Sequence, residues 1–301
     1  MTRLPQIAWL ADGRRLHLQD GPIDLIVEAE GAESDIRAAY QAAARRFTGL
    51  LDELCAELTE LRAAAHPRHC ALQGVVARRM HHAVAPFAAD HFITPMAAVA
   101  GSVAEEILGA MLGAARLQRA YVNNGGDIAL HLSDGQRFSI GLMDRPDQHG
   151  VLRTLELEAD DSARGIATSG RHGRSFSLGI ADAVTVLART ASQADAAATI
   201  MANAVDLPGH PAIVRCPANM LQSDSDLGAR LVTRDVGELS DHEIEAALEA
   251  GADCARGLLL SGLIEGATLR LMGRTAMAGA IRNEARTTDK PRQRAPELMH
   301  A

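Results

Sequence analysis

Residues 165–205 constrain the fold of this chain more than any other stretch of its sequence. They run from an apolar segment that ends in TSG at 168–170, through the β-branched segment DAVTVLA at 182–188, to an Ala-rich segment at 190–205. Apolar and β-branched runs of this length are typical of buried strands, whereas the Ala-rich segment has helical spacing. The stretch therefore predicts a strand, a tight polar turn, a second strand and a helix, in that order.

The start of the predicted helix carries its own signals. Thr190 and Gln193 have the spacing of a capping box, and Asp195 is expected in the first turn. Turns at strand ends beside a helix N-terminus commonly bind ligands, because the first N–H groups of a helix attract anions. We therefore expect a small-molecule pocket here, for a phosphorylated ligand.

The remaining chain predicts an α+β fold, in which a mixed or antiparallel sheet packs against two or three long helices. A single domain is expected over 1–280. A disordered basic tail is expected over 281–301, where the sequence becomes polar and basic. Periodicity and turn residues place strands at 7–30, 120–132, 136–143, 151–159, 231–236 and 267–272, helices at 32–64, 97–118 and 240–262, and a loop-rich segment at 208–226.

Composition and charge limit the kinds of binding partner and the cellular compartment that we expect for this chain. The net charge of −8 argues against general affinity for nucleic acid or acidic membranes. The four cysteines lie far apart without CxxC pairing, which fits a reducing compartment. The N-terminus has no basic-then-apolar signal pattern, and we expect no apolar run to reach the ~20 residues that span a bilayer. These features predict a cytoplasmic protein with a small-molecule ligand and with no nucleic-acid or membrane partner; a homodimer is left open.

A second group of small residues interrupts the predicted strands at 120–132. Gly125 and Gly126 permit positive φ and the close approach of a ligand, and Asn124 and Asp127 place polar groups beside them. A plain hairpin turn would also explain the Gly-Gly-Asp sequence. It explains the apolar flanks less well, so a ligand-binding turn remains open beside it.

Two further sets of residues have the chemistry of a phosphate or metal site. Asp195 and Thr199 are four positions apart and share a helix face, where a carboxylate and a hydroxyl can hold Mg²⁺. The alternative is an acid that offsets the helix dipole. The turn at 168–170 could donate N–H and hydroxyl groups to phosphate, with Arg171 and Arg174 supplying positive charge, or it could simply connect two strands.

Five segments in order resemble the ApbE superfamily. They are MAAVAGSVAEEIL, VNNGGDIAL, IATSG, DAVTVLA and ADAAAT, and the resemblance covers about 92–205. Members of that superfamily are flavin transferases that move FMN from FAD onto a protein threonine or serine. The chain looks most similar to a short branch of it, an uncharacterised protein family with TPMAAVAG and TSGRxGRSFS-type segments. The resemblance implies the ApbE-like fold, FAD or FMN as ligand, and Mg²⁺.

The resemblance also implies roles for individual positions. Asp195 and Thr199 match its Mg²⁺ ligands, and Ala100 aligns with an alanine whose backbone carbonyl completes that site. A nucleotide cradle is implied for the glycine-rich turn and for the TSG segment. With the neighbouring polar residues, the candidate cofactor-binding set is Asn124, Gly125, Gly126, Asp127, Thr168, Ser169, Gly170 and Arg171.

The chain also departs from the superfamily pattern. The lysine expected after Ala100 is Gly101, and 171–181 contains no Asp-Pro-x-Thr-Gly loop. Breaking a pyrophosphate bond needs charge stabilisation and an activated hydroxyl, and part of that machinery is missing. Two hypotheses follow, and neither assigns a catalytic residue. One is a diverged FMN or nucleotidyl-type transferase with a nucleotide-like ligand and Mg²⁺. The other is a non-catalytic binding or accessory protein, linked by the resemblance to one-carbon cofactor metabolism.

Overall fold

The computed structural model describes residues 4–143, 151–279 and 299–300, which form packed helices and sheets that are antiparallel except where β14 pairs with β6. The strands are β1 (Gln6–Trp9), β2 (Leu16–Asp20), β3 (Ile23–Gly31), β4 (Leu117–Asn124), β5 (Asp127–Leu132), β6 (Arg137–Met143), β7 (Val151–Glu158), β8 (Gly165–Ser169), β9 (Ala183–Ala188), β10 (Ile213–Pro217), β11 (Leu231–Val236), β12 (Gly266–Leu271), β13 (Arg274–Gly279) and β14 (Met299–His300). The helices are α1 (Glu33–Phe47), α2 (Leu50–Ala56), α3 (Leu58–Leu61), α4 (Val75–Val84), α5 (Val99–Ala114), α6 (Ala191–Ala204), α7 (Ala218–Leu221) and α8 (Asp241–Leu260). The α+β prediction is confirmed.

The main sheet has nine strands in the order β1-β2-β3-β4-β5-β8-β9-β12-β13, and all neighbouring strands run antiparallel. Strands β14, β6 and β7 form a second sheet, and β10 and β11 a third. The hairpins predicted at 7–30 and 120–132 are present. Their turns contain Gly13, Gly125 and Gly126, all at positive φ, which a side chain would strain.

The single helix predicted at 32–64 is wrong, because the chain breaks there into α1, α2 and α3. Gly49 adopts φ +85° between α1 and α2, a left-handed conformation that ends one helix before the next begins. The apolar periodicity continues across this break because Phe47, Leu50 and Leu54 all face the main core. The apolar periodicity therefore predicts the buried face correctly, but it does not predict the change in chain direction at Gly49.

The second long helix is shorter than predicted. A 3₁₀ turn at Pro95–Ala98 leads into α5, which ends at Ala114, and β4 begins at Leu117. The expectation that no apolar run could span a bilayer is wrong by length and composition, since the 20-residue helical stretch Pro95–Ala114 contains an 18-residue window of mean hydropathy 1.4. A core helix passes the same test, and α5 packs between α1, α6 and the sheet.

The stretch at 165–205 folds in the predicted order, with two corrections. Thr168 and Ser169 belong to β8 and do not form the turn, which begins at Gly170. Asp195 is the fifth residue of α6, so it lies beyond the first turn. The cap itself is confirmed, because the Thr190 side chain accepts a hydrogen bond from Gln193 N. The interpretation of Asp195 as an acid that offsets its own helix dipole is therefore wrong, since that effect is confined to the first turn.

The C-terminal third contains more structure than predicted. The segment at 208–226 holds β10 and α7, and β13 follows the strand predicted to be the last. The capping box at the start of α8 is confirmed by hydrogen bonds in both directions between Ser240 and Glu243. The tail predicted at 281–301 lies outside the described residues except for Met299 and His300, which pair with β6. The single domain over 1–280 stays a prediction.

Candidate functional site

The N-termini of α5 and α6 meet, and each helix caps the other. An Asp195 carboxylate oxygen on α6 accepts a hydrogen bond from Gly101 N at 2.9 Å. In return, a Glu105 carboxylate oxygen on α5 accepts one from Ser192 N at 2.6 Å. The first N–H groups of a helix have no partner within it, so these two carboxylates satisfy donors that would otherwise be left unpaired.

Gly101 makes this meeting of helices possible. A Cβ on Gly101 would lie 2.3 Å from the Ala191 carbonyl oxygen and 2.8 Å from Ser192 N. The small residues of 96–104 therefore bring the backbone of α6 close to α5. The position next to Ala100 has no room for the lysine of the superfamily pattern while the two helices keep this arrangement.

The turn between β4 and β5 is hydrogen-bonded to the first turn of α5. Asn124 Nδ2 donates a hydrogen bond to the Ala100 carbonyl oxygen at 3.2 Å, and Gly126 N donates to Asn123 Oδ1 at 2.8 Å. Gly125 and Gly126 both have positive φ. The Gly-Gly turn is thus a hairpin turn that also lies against the first turn of α5, and its role in ligand binding stays a prediction.

Asp127 follows this turn and is held by the neighbouring strand. Its Oδ1 accepts a hydrogen bond from Thr168 N at 3.3 Å. Burial raises the pKa of Asp127 well above 3.8, and the negative charge of Asp195 raises it further. The Thr168 hydrogen bond and the positive charge of Arg174 act in the opposite direction.

The pKa of Asp195 is raised as well. Burial raises its pKa from 3.8 to about 7, and the charge of Glu105 adds to the increase, while hydrogen bonds from the backbone of Gly101 and Ala100 oppose it. Two carboxylates on different elements are thus held in one partly buried place, where ionising both is unfavourable. A proton on one of the two carboxyl groups, or a cation bound to both, would remove the repulsion.

The TSG segment and its arginines divide into two groups. Thr168 reaches the carboxylate pair through its backbone N–H, while its hydroxyl bonds to that of Thr185 at 2.9 Å. Arg171 points elsewhere, because its Nε and Nη2 donate to Asp182 Oδ1 at 2.9 and 2.7 Å. Gly170 also packs against Asp182, since a Cβ on Gly170 would lie 2.5 Å from the Asp182 carbonyl oxygen.

Arg174 lies over the Gly-Gly turn. Its Nη2 is 1.7 Å from where a Cβ of Gly125 would stand, and its charge lowers the pKa of Asp127. The side chain is exposed and therefore accessible to an anion. The sequence predicts both Arg171 and Arg174 as positive charges beside the TSG segment. Of the two, the structure places Arg174 beside the Gly-Gly turn and Asp127.

The structure brings together Ala100, Asn124, Gly125, Gly126, Asp127, Thr168 and Asp195. Thr199 lies one helical turn beyond Asp195 on the same face of α6 and is partly buried. Within the described ranges, no three His, Cys, Asp or Glu side chains are grouped as a metal site, so a cation here would also need backbone, hydroxyl or ligand oxygens. A surface groove between α8 and β13, with His242 and Arg274 in its lining, is formed by none of these residues.

Comparison with known proteins gives a family match over most of the chain. A family model described as AbpE bacteria matches residues 7–277. A UPF0280 protein of Methanopyrus kandleri is 38% identical over 128 residues, which cover 42% of this chain and 48% of the relative. A UPF0280 protein of Methanococcus vannielii is 41% identical over 128 residues, which cover 41% and 50%. The chain spans about half the length of these curated relatives.

Two solved structures are similar at low identity. An ApbE protein from Thermotoga maritima covers 67% of this chain and 88% of its own, with 13% identity and a TM-score of 0.47. The apo flavinyl transferase ApbE of Pseudomonas stutzeri covers 68% and 86%, with 11% identity and a TM-score of 0.39.

Proposed function

Because the chain belongs to the family described as AbpE bacteria, as its resemblance to the ApbE superfamily predicts, we propose that the site around Asp127 and Asp195 binds a flavin nucleotide, FAD or FMN, through Mg²⁺. The observation that carries this proposal is the pair formed by Asp127 and Asp195. Both carboxyl groups have raised pKa values, and the charge of one acts on the other. A divalent cation between them would turn an unfavourable pair of charges into a favourable binding site.

The donor set fits magnesium. Carboxylates, a backbone carbonyl and a hydroxyl are hard oxygen ligands, which Mg²⁺ and Ca²⁺ prefer over imidazole or thiolate. Mg²⁺ is commonly bound through one or two carboxylates together with the phosphates of a substrate. Asp127 and Asp195 would supply the carboxylates, and the Ala100 carbonyl and the Thr199 hydroxyl, which the resemblance implies as ligands, would supply additional oxygens.

The surroundings suit a phosphate group. Gly125 and Gly126 allow an anion to approach the backbone closely, and Arg174 supplies an exposed positive charge beside them. The bound cation would neutralise the charge of a pyrophosphate. The chain's own residues would orient that group between the β4–β5 turn and the first turn of α5.

A non-catalytic binding or accessory role is favoured by two observations. The backbone of α6 occupies the space beside Gly101 where the superfamily pattern has a lysine. Asp195 also spends one carboxylate oxygen on capping α5. The cradle would then persist without transfer of FMN, for a ligand of flavin or one-carbon cofactor chemistry.

Isothermal titration with FAD tests the proposal, with and without Mg²⁺, on the wild type and on Asp195→Asn. We expect heat of binding that requires Mg²⁺ in the wild type and is lost in the variant. Absence of heat under both conditions would remove the flavin proposal. Incubation with FAD and a protein acceptor then separates the two roles, since a transferase releases AMP and adds the mass of FMN to the acceptor, and a binding protein does neither.

A further inference from the structure

The first strand of the main sheet is an unprotected edge. All four residues of β1 are exposed, and its outer side has no neighbouring strand in the part of the chain that the structure describes. The exposed fractions of Ile7 and Trp9 are 44% and 57%. The segment 4–11 has the sequence LPQIAWLA and contains no charged residue, although charge is a common means of keeping a sheet edge from pairing.

The hydrogen-bonding groups of β1 that face outward can be identified from its pairing with β2. Leu10 N donates to Arg15 O, and the register continues as Ala8 opposite His17. In an antiparallel ladder, hydrogen-bonded and non-hydrogen-bonded pairs alternate. Leu10 and Ala8 therefore bond to β2, whereas the N–H and C=O groups of Ile7 and Trp9 point to the open side.

The side chains of the same two residues extend the buried face of the sheet. Ile7 stands opposite Leu18 and Trp9 opposite Leu16, and both leucines are buried in the main core. Directly opposed residues point to the same face. The Trp9 ring also meets the Tyr40 ring edge-on, with 5.1 Å between centroids. The apolar core therefore continues outward along β1 and ends in solvent.

We propose that β1 pairs antiparallel with β1 of a second copy of this chain, about a two-fold axis that passes beside Ala8 and is perpendicular to the sheet. In this register Ile7 lies opposite Trp9 of the partner subunit. Both residues have outward N–H and C=O groups, so they form a hydrogen-bonded pair, and the two-fold axis repeats that pair. The main sheets of the two copies become one continuous sheet.

The strand is complementary to itself, which favours a second copy over other occupants. The register joins an aromatic and a β-branched side chain on the core face twice, a combination that stabilises cross-strand pairs. The uncharged segment at 4–11 lets two copies, each with a net charge of −8, approach without like charges directly opposed. The opposite edge of the sheet differs, because β13 carries Arg274.

The test uses the full-length protein and measures its mass by sedimentation over a wide range of concentration. We expect the wild type to move from monomer to dimer as concentration rises. Trp9 is the only tryptophan, so its emission should shift to the blue over the same range as its ring leaves water. Ile7→Lys should remain a monomer with a normal melting profile, since a charge at the edge opposes pairing.

Val214→Lys is the matched control, because Val214 is a similarly exposed apolar residue on β10. It should dimerise like the wild type. The proposal is overturned if the wild type is a monomer at every concentration. The same result would be seen if another segment of the same chain covered β1. A dimer that survives Ile7→Lys, or forms without a shift in Trp9 emission, also overturns it because another surface must then be used.

Discussion

The Asp195 carboxylate accepts a hydrogen bond from Gly101 N at 2.9 Å, although the two residues are 94 positions apart in the sequence. This bond joins the first turn of α5 to the second turn of α6. The Asp195 carboxylate is partly buried, where its ionisation is unfavourable, and it caps a helix that has no side-chain cap of its own. The charge of the same carboxylate raises the pKa of Asp127, so the helix junction and the proposed cation site share one group.

The first prediction concerns the close approach at Gly101. Gly101→Ala should destabilise the protein by roughly 1–3 kcal/mol, because the added Cβ would lie 2.3 Å from the Ala191 carbonyl oxygen and would force α5 and α6 apart. Chemical denaturation followed by circular dichroism measures the change. Gly109→Ala is the matched control on the same helix. Nothing lies within 4 Å of its Cβ position, so it should be neutral or stabilising by up to ~1 kcal/mol. Equal effects of the two substitutions would contradict the packing argument.

The second prediction concerns the charge on Asp195. Its pKa is about 7 in the folded protein against 3.8 ordinarily, so between these values the native state holds a proton that the unfolded chain releases. The contribution of this group to stability is therefore fully present below about pH 4 and is lost as the pH rises through about 7. Asp195→Asn removes the charge and keeps an oxygen for Gly101 N. It should melt above the wild type at about pH 8 without divalent cations, and close to it at about pH 4.

The control for this measurement is Asp160→Asn, because Asp160 is an exposed aspartate in the turn after β7 and belongs to no helix. It should leave the difference between the two pH values unchanged. A melting temperature of Asp195→Asn below that of the wild type at the higher pH would show that the ionised carboxylate stabilises the fold, and would remove the repulsion on which the cation proposal rests.

The third prediction is that Mg²⁺ stabilises the wild type in a pH-dependent way. A cation bound only to the folded state raises the melting temperature, by the equivalent of ~2.7 kcal/mol at a hundredfold excess over its Kd. The effect should be larger at about pH 8 than at about pH 5.5, because protons compete with metal for carboxylate ligands. Asp127→Asn and Asp195→Asn should each abolish it. A shift of the same size in both variants, or one that NaCl reproduces at matched ionic strength, would mean that the ion acts elsewhere.

The fourth prediction separates the two arginines beside the TSG segment. Arg174→Gln should weaken FAD binding with little change in melting temperature, because its exposed guanidinium lies over Gly125 and acts on Asp127 only through charge. Arg171→Gln should instead lower the melting temperature, because it leaves Asp182 without its two guanidinium hydrogen bonds. Titration and thermal melting of both variants check this pair of results. The reverse pattern would show that Arg171 is the residue that meets the ligand.

Features set by neighbouring residues were predictable from the sequence, and features set by distant contacts were not. The caps at Thr190 and Ser240 involve residues three positions apart, and both are confirmed. The Gly-Gly turn between β4 and β5 is also local. Gly49 was not recognised as a helix break, because apolar spacing continues across it.

The carboxylate pair shows the limit most clearly. The sequence predicts Asp127 in a nucleotide site and Asp195 in a metal site, because no spacing between them indicates that they interact. The packing of α6 against β5 and α5 puts them together and buries them. The use of Glu105 as a cap for α6 was likewise unpredictable, since its partner Ser192 is 87 residues away.

The last prediction concerns His81 on α4, a buried histidine with an exposed fraction of 6%. Neither of its ring nitrogens has a hydrogen-bond partner among the described residues. Burial lowers its pKa below 6.5, and the charges of His82 and His66 act in the same direction. The unfolded chain therefore binds a proton more readily than the native state, and the contribution of His81 to stability is present above about pH 6.5 and lost as the pH falls below it.

His81→Leu should reduce this loss on the acid side, because an apolar side chain of similar size leaves no buried group to protonate and no unpaired nitrogen. Urea midpoints measured from about pH 7.5 to about pH 5 should fall less in the variant than in the wild type. His91→Gln is the control, since His91 is exposed, lies outside the helices and does not act on His81, so its replacement should leave the wild-type pH dependence in place. Parallel curves for His81→Leu and the wild type would show that acid sensitivity in this range comes from other groups.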